Sequence, residues 1–430
     1  MEQKALAELL EQYPTPLYVF EERLLKERVR YLRSWLPENV SLCFAVKANP
    51  FLGGFLTDCV ERFEICSPGE MYLCEKQGIP AERFVLSGVN KDEASMRYAF
   101  EHGLCGGILT VESVHQFELI RALSSEYRQR VRLMPRLTGG SQFGMEGQEI
   151  LDLLKEYRDA FQAAGLPDGK EQSSQAAGQQ DGKEQSSQVA GQPDEEKLLV
   201  LAGIQFFSGT QKTSLKKHRK ELALLDDFVD EVFAQTGVRV PELEYGPGFP
   251  AMYFSGETFD EDAYMREFFG LLRGMRFRAP VTLELGRGIA ASCGSLITRV
   301  ADVKCNHGEN YAILDSGIHH LTYFGQFMAM KHPLFDLWPA REASQDDPVW
   351  NLCGSLCTTN DLLVKKLPVH DLKIGDVLTF RNAGAYCMTE GISLFLSRDL
   401  PAVVWRKENG ESMLLRDAHP VWPLNGGMDL

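Results

Sequence analysis

The stretch "SLCFAVKANP", residues 41–50, is an apolar, strand-like run that ends on a lysine, Lys47. Lysine is seldom buried, because desolvating an ammonium group is costly unless it is paired or loses its proton. Lys47 therefore needs a task, and the task depends on what its strand belongs to. Seven further short β-rich segments follow: "FEICS" (63–67), "FVLSG" (84–88), "GILTV" (107–111), "VRLMPRL" (131–137), "VLAGIQFF" (200–207), "ELEYGP" (242–247) and "TLELGR" (282–287). Most of the gaps read as amphipathic helices, such as "VESVHQFELIRALSSEY" and "KELALLDDFVDEVFAQTG", often punctuated by Gly or Pro. Eight strand–helix units predict an α/β fold built on a (β/α)8 TIM barrel. An open doubly wound sheet is the alternative, but no GxGxxG follows the first strand.

Composition narrows the function. The chain has 430 residues, 44% hydrophobic and 24% charged, which suits a globular protein of two domains. A formal net charge of -15 with no basic stripe argues against a nucleic-acid partner. The start, "MEQKALAELLEQYP", lacks a basic and apolar leader, and no run reaches the roughly 18 apolar residues of a membrane span, so a cytoplasmic location is expected. Ten scattered cysteines include no CxxC pair, and "CGSLC" (353–357) has no second ligand pair nearby. Reduced thiols and no metal site are expected.

Beyond residue 290 strand-like runs lose their helical spacers, as in "SLITRVADVK" and "DVLTFRNAGAY", which predicts a mostly-β domain. "TPLYVF" (15–20) precedes the first barrel helix and suits the same domain. The expected division is a barrel over 25–290 and a β domain over 1–24 plus 291–430. Inside the barrel, "DGKEQSSQAAGQQ" (168–180) is followed at once by "DGKEQSSQVAGQP" (181–193). This polar tandem repeat has little to bury and reads as a disordered insertion over 167–197, at the barrel face away from the active site.

Barrel active sites lie at the C-terminal ends of the strands. Lys47, Glu64, Ser67, Asn90, Arg136, Gln205, Phe207, "GPGFP" (246–250), Glu284 and Arg287 all fall there. The Gly-rich turn and the arginine fork suit a phosphate. A rim lysine, a carboxylate and a phosphate cradle together suggest pyridoxal 5'-phosphate (PLP), with Lys47 forming the Schiff base. Taken alone, Lys47 could equally be a structural ion-pair lysine with Glu64 or Glu284.

In order, "FAVKAN", "FEICSPGE", "SQFGM", "GIQFFSGTQ", "YGPGFP", "ELGRGI", "GSLCTTND" and "GAY" resemble the PLP-dependent decarboxylases of alanine-racemase-like fold, the family of diaminopimelate and ornithine decarboxylases. The resemblance spans nearly the whole chain except the repeat. It implies that Lys47 carries the cofactor and Glu284 holds its pyridine nitrogen protonated. It further implies that Glu64, Arg136 and Phe207 line the cofactor, while Thr210, Gly246, Gly248, Gly286, Arg287 and Tyr386 hold it. Cys357 matches a cysteine that reaches across a head-to-tail homodimer to protonate the substrate carbon. The implied substrate is a small amino-acid-type molecule.

Some positions depart from the family pattern. Phe207 stands where relatives stack a histidine on the ring, and Glu64 replaces an aspartate. Relatives acting on diamino acids have an acidic residue after the cysteine, and here it is Thr358, for which Asp361 is a candidate substitute. A Cys-Thr pair resembles branches acting on modified amino acids, such as siderophore intermediates or carrier-bound aminoacyl groups. Racemisation and a catalytically silent, PLP-binding regulator remain as alternative readings. A glutamate rather than an arginine at the pyridine nitrogen favours decarboxylation over racemisation.

Overall fold

The computed structural model describes residues 3–163, 198–341 and 347–427. The tandem repeat and the expected insertion around it lie outside the described residues. Strand β1 (Leu17–Glu21) joins a second sheet; the first holds β2 (Val40–Ala45), β3 (Arg62–Ile65), β4 (Phe84–Leu86), β5 (Ile108–Val111), β6 (Val131–Leu137), β7 (Leu199–Leu201), β8 (Ile204–Phe207), β9 (Leu243–Gly246) and β10 (Val281–Leu285). All are parallel, and β10 pairs back onto β2, closing a barrel. Helices begin where the sequence offers a cap: the side chains of Ser67, Asp92 and Ser113 accept from backbone N–H groups of Glu70, Ser95 and Gln116.

The sixth barrel strand, expected as one segment, is split into β7 and β8. Ala202 N donates to Leu133 O at 2.7 Å, whereas Ile204 N donates to Glu242 O at 3.0 Å, so the register breaks at Gly203 although β6 pairs with both pieces. A β-carbon on Gly203 would lie 2.2 Å from Glu242 O, which leaves no room for a side chain there. The first strand is followed by a 3-10 stretch, Pro50–Leu56, in place of an α-helix. Mid-barrel, Cys43, Val85, Ile108, Met134 and Ala202 pack together, each 4% exposed or less. This plug separates an ionic layer at the strand N-termini, where Arg62 pairs with Glu242 beneath Thr282, from the polar rim at the C-termini.

The second sheet comprises β1 with β11 (Gly294–Asn306), β12 (Glu309–Leu314), β13 (Phe335–Trp338), β14 (Val349–Cys353), β15 (Leu362–Pro368), β16 (Val377–Phe380), β17 (Ala402–Arg406) and β18 (Ser412–Arg416). β1 lies between β11, antiparallel, and β17, parallel. The architecture is therefore a TIM barrel with a mostly-β sheet domain. Among the described residues, no helix is long and apolar enough to cross a membrane.

Candidate active site

Lys47 lies two residues past the end of β2, in the turn Val46–Ala48. The two strands flanking β2 each bring a glutamate to its ammonium. Lys47 Nζ is 2.5 Å from Glu64 Oε2 of β3 and 3.3 Å from Glu284 Oε1 of β10. Cys66 Sγ lies 3.5 Å from Lys47 Nζ and donates to Glu64 Oε1 at 3.3 Å. Burial works against charge on Lys47, but Glu284 and Glu64 outweigh it and hold the ammonium well above its usual range. Burial and Glu64 push Glu284 up to about 7. Glu64 resists the same burial through Lys47 and stays below its ordinary value. Of two adjacent buried carboxyls, one is thus a committed anion and the other is poised to share a proton near neutrality.

Arg287 opens the short helix after β10 and is only 5% exposed. Its Nε donates to Thr210 Oγ1 at 3.3 Å, and a second nitrogen donates to Tyr253 Oη. The guanidinium also faces the rings of Tyr386, Phe324 and Tyr253 at 4.6, 5.1 and 5.6 Å. Among the ion pairs of the described residues, none joins Arg287 to a carboxylate. A buried cation without a counter-ion is costly, so the site suits an incoming anion. The backbone around it is close-packed. Gly248 has φ +63°, and a β-carbon there would lie 2.2 Å from Gly209 O. One on Gly286 would meet Tyr386 Oη at 2.9 Å, and one on Gly246 would strike the Phe207 ring. Tyr386 N in turn donates to Ala48 O at 2.7 Å, tying the second sheet's loop to the Lys47 turn.

Arg136 ends β6 and is paired with Glu112 at 3.1 Å; its guanidinium lies 6.0 Å from the Phe207 ring, and its Nε has no partner. Lys47, Glu64, Glu284, Arg287, Thr210, Gly246, Gly248, Gly286, Phe207, Arg136 and Tyr386 thus converge on one rim. Cys357, Thr358 and Asp361 do not join it: they lie on the loop between β14 and β15. Cys357 is exposed there, and Thr358 Oγ1 accepts from Asn360 N at 3.3 Å. Asp361 is 3% exposed, and its two oxygens accept from Ile318 N at 2.8 Å and Leu356 N at 2.7 Å, so it faces the backbone that holds its own loop.

Three residues at the rim escaped the sequence reading. Cys66 was legible in principle, since strand alternation places it on the face of Glu64. Tyr253 and Phe324 carry no local signal, because they reach Arg287 from a long loop and from the second sheet's connections. The donor set fits PLP: an amine at the strand end, a proton-sharing carboxyl beside it, and an unpaired buried arginine in a glycine-rich cradle.

A family model described as "Pyridoxal-dependent decarboxylase, C-terminal sheet domain" matches residues 17–384. Diaminopimelate decarboxylase of Aquifex aeolicus is 25% identical over 398 residues, covering 89% of this chain and 84% of the relative. L-Glutamyl-[BtrI acyl-carrier protein] decarboxylase of Niallia circulans is 25% identical over 432 residues, covering 97% and 94%. The structure of diaminopimelate decarboxylase from Helicobacter pylori complexed with L-lysine superposes with a TM-score of 0.77 at 20% identity, covering 98% of this chain and 99% of that one. The chain belongs to the pyridoxal-dependent decarboxylase family and is a PLP-dependent amino-acid decarboxylase.

Proposed function

We propose that this decarboxylase acts on an amino acid carried as a conjugate, with Lys47 as the covalent cofactor lysine and Cys357 of a partner subunit as proton donor. The observation that carries the catalytic reading is Lys47 held between Glu64 and Glu284 beside the unpaired Arg287. When bound, PLP supplies the electron sink into which the bond to CO2 breaks. Glu284 would hold the pyridine nitrogen, its carboxylate favouring the protonated ring. Glu64 remains the anion that orients Lys47, and Phe207 covers the ring with an apolar face. Arg287, Thr210, Tyr386 and the turn at Gly246 and Gly248 grip the phosphate, with Gly286 leaving room for Tyr386. Arg136, braced by Glu112, borders Phe207.

The uncharged Thr358 and the buried Asp361, whose oxygens both face backbone N–H groups, support the conjugate: neither is an exposed carboxylate awaiting a distal ammonium. The Niallia relative's own name describes a carrier-bound aminoacyl substrate. A head-to-tail homodimer is supported by exposed Cys357 and by Phe327, Met328 and Met330, which are 73%, 64% and 69% exposed; Met328 lines a cavity together with Thr359 and Asn360 of the Cys357 loop. The barrel, 25–290, would hold the cofactor, and 1–24 with 291–430 would form the dimerising β domain. All ten cysteines are unpaired, which supports a cytoplasmic location.

The test screens amino acids and their conjugates, a glutamyl carrier protein included, for CO2 release, alongside borohydride trapping of the cofactor on Lys47. Trapping at Lys47, lost in Lys47→Ala, and turnover of a conjugate over the free diamino acids are expected. Preferential turnover of diaminopimelate or ornithine would overturn the substrate reading. Trapping at another lysine would overturn the catalytic one.

A further inference from the structure

Behind the cradle lies a buried ion pair that the reaction does not use. Lys212 is 5% exposed and Glu221 7%, and Lys212 Nζ is 2.8 and 3.1 Å from the two carboxylate oxygens. Glu221 projects from the helix Leu215–Thr236. Its Oε2 also accepts from Tyr245 Oη at 2.5 Å, and its Oε1 from Ser208 Oγ. One carboxylate therefore grips both ends of the five-residue turn 208–212, whose middle residue is Thr210. That turn is laced to the glycine turn as well. Lys212 N donates to Gly248 O at 3.0 Å, and Gln211 Nε2 donates to Ala251 O at 2.9 Å while its Oε1 accepts from Ala251 N at 2.6 Å.

A buried ion pair is weak evidence for stability, because apolar residues of similar volume often serve as well or better. What it does supply is a fixed register between the elements it joins. Here those elements are the helix, the Thr210 turn and β9, which carries Tyr245 and runs into the glycine turn. Within the turn Gln211 sits at φ +53°, a conformation that an isolated glutamine seldom keeps, so the turn depends on these contacts for its shape.

We propose that Lys212 and Glu221 are positioning residues for the anion cradle: by clamping both ends of the turn 208–212, they set Thr210 against Arg287 where a phosphate binds. This rests on the reading above of Thr210, Gly246 and Gly248 as phosphate contacts. The pair touches neither substrate nor the reacting atoms.

The test is Lys212→Met/Glu221→Gln, which removes both charges together and keeps side-chain partners for Ser208 and Tyr245. The full-length apoenzyme is titrated with PLP and, separately, with pyridoxal, which lacks the phosphate, with thermal unfolding as a control. PLP should bind about tenfold more weakly or worse, while pyridoxal binding stays within about twofold of wild type. A purely structural role would lower both affinities alike or lower only the melting temperature, and either result overturns the proposal. Should the double variant fail to fold, Ser208→Ala releases the other end of the turn with the loss of one hydroxyl, and carries the same expectation. If wild type itself shows no preference for PLP over pyridoxal, the phosphate-contact reading falls first, so the two failures are distinguishable.

Discussion

Glu244 of β9 offers a quantitative test of the barrel interior. It is 0% exposed, and Gln205 Nε2 donates to its Oε1 at 2.6 Å. Its Oε2 and the Gln205 Oε1 are both buried without partners. A proton on Glu244 removes the charge from a buried carboxyl whose Oε2 has no donor. Burial, with the neighbouring charges of Glu284 and Glu64, raises its affinity from the ordinary 4.5 to about 8, against the opposing hydrogen bond from Gln205 and the charge of Arg62. An acid bound more tightly in the folded state contributes its stability fully below about 4.5 and loses it as pH rises through about 8. Between pH 5.5 and 8.5 this one group should remove about 3 kcal/mol from the stability of the apoenzyme. Glu244→Gln mimics the protonated form and should remove that dependence, so the stability difference between variant and wild type grows with pH. Urea denaturation of both apoproteins at several pH values measures the difference, in which contributions from titrating groups remote from Glu244 cancel. A constant difference across that range would show that Glu244 is ionised when folded, and would refute the argument from its orphaned oxygen.

Two further outcomes follow from the structure. Asp361→Asn exchanges one charge-assisted backbone acceptor for a donor aimed at an N–H group, costing the Cys357 loop about 3 kcal/mol; turnover should fall more than about tenfold while the cofactor absorbance is retained, and unchanged turnover would remove the loop from the reaction. Deleting 168–193 joins positions between the helix ending at Ala163 and β7, which starts at Leu199 at the strand N-terminal side; steady-state turnover should stay within a factor of two of wild type, an outcome that a loss without unfolding would contradict.

The barrel and most of its rim were legible because strand periodicity and strand ends are local properties. Alternation along β3 and β10 places Glu64 and Glu284 on the inner face, and the lysine at the end of β2 then has two neighbours by topology alone. The break at Gly203 was not legible, because its cause is a carbonyl of residue 242 on the neighbouring strand. Nor was the 3-10 segment after β2, where Pro50 and two glycines weaken the α-helix without revealing what replaces it. Asp361 shows the limit most clearly. Sequence marks a carboxylate near the cysteine but cannot say which partner it faces, and the backbone N–H groups of Ile318 and Leu356 answer that only once β12 and the 354–361 loop are brought together. The same physics bears on substrate choice. On the function proposed above, a carboxylate that is 3% exposed and already accepts a backbone N–H on each oxygen is poorly placed for a ligand's ammonium, and selectivity in this loop would rest on shape and neutral contacts around Thr358. That favours a substrate whose distal end is uncharged or masked, as in an amide or a carrier-linked conjugate, over a free diamine.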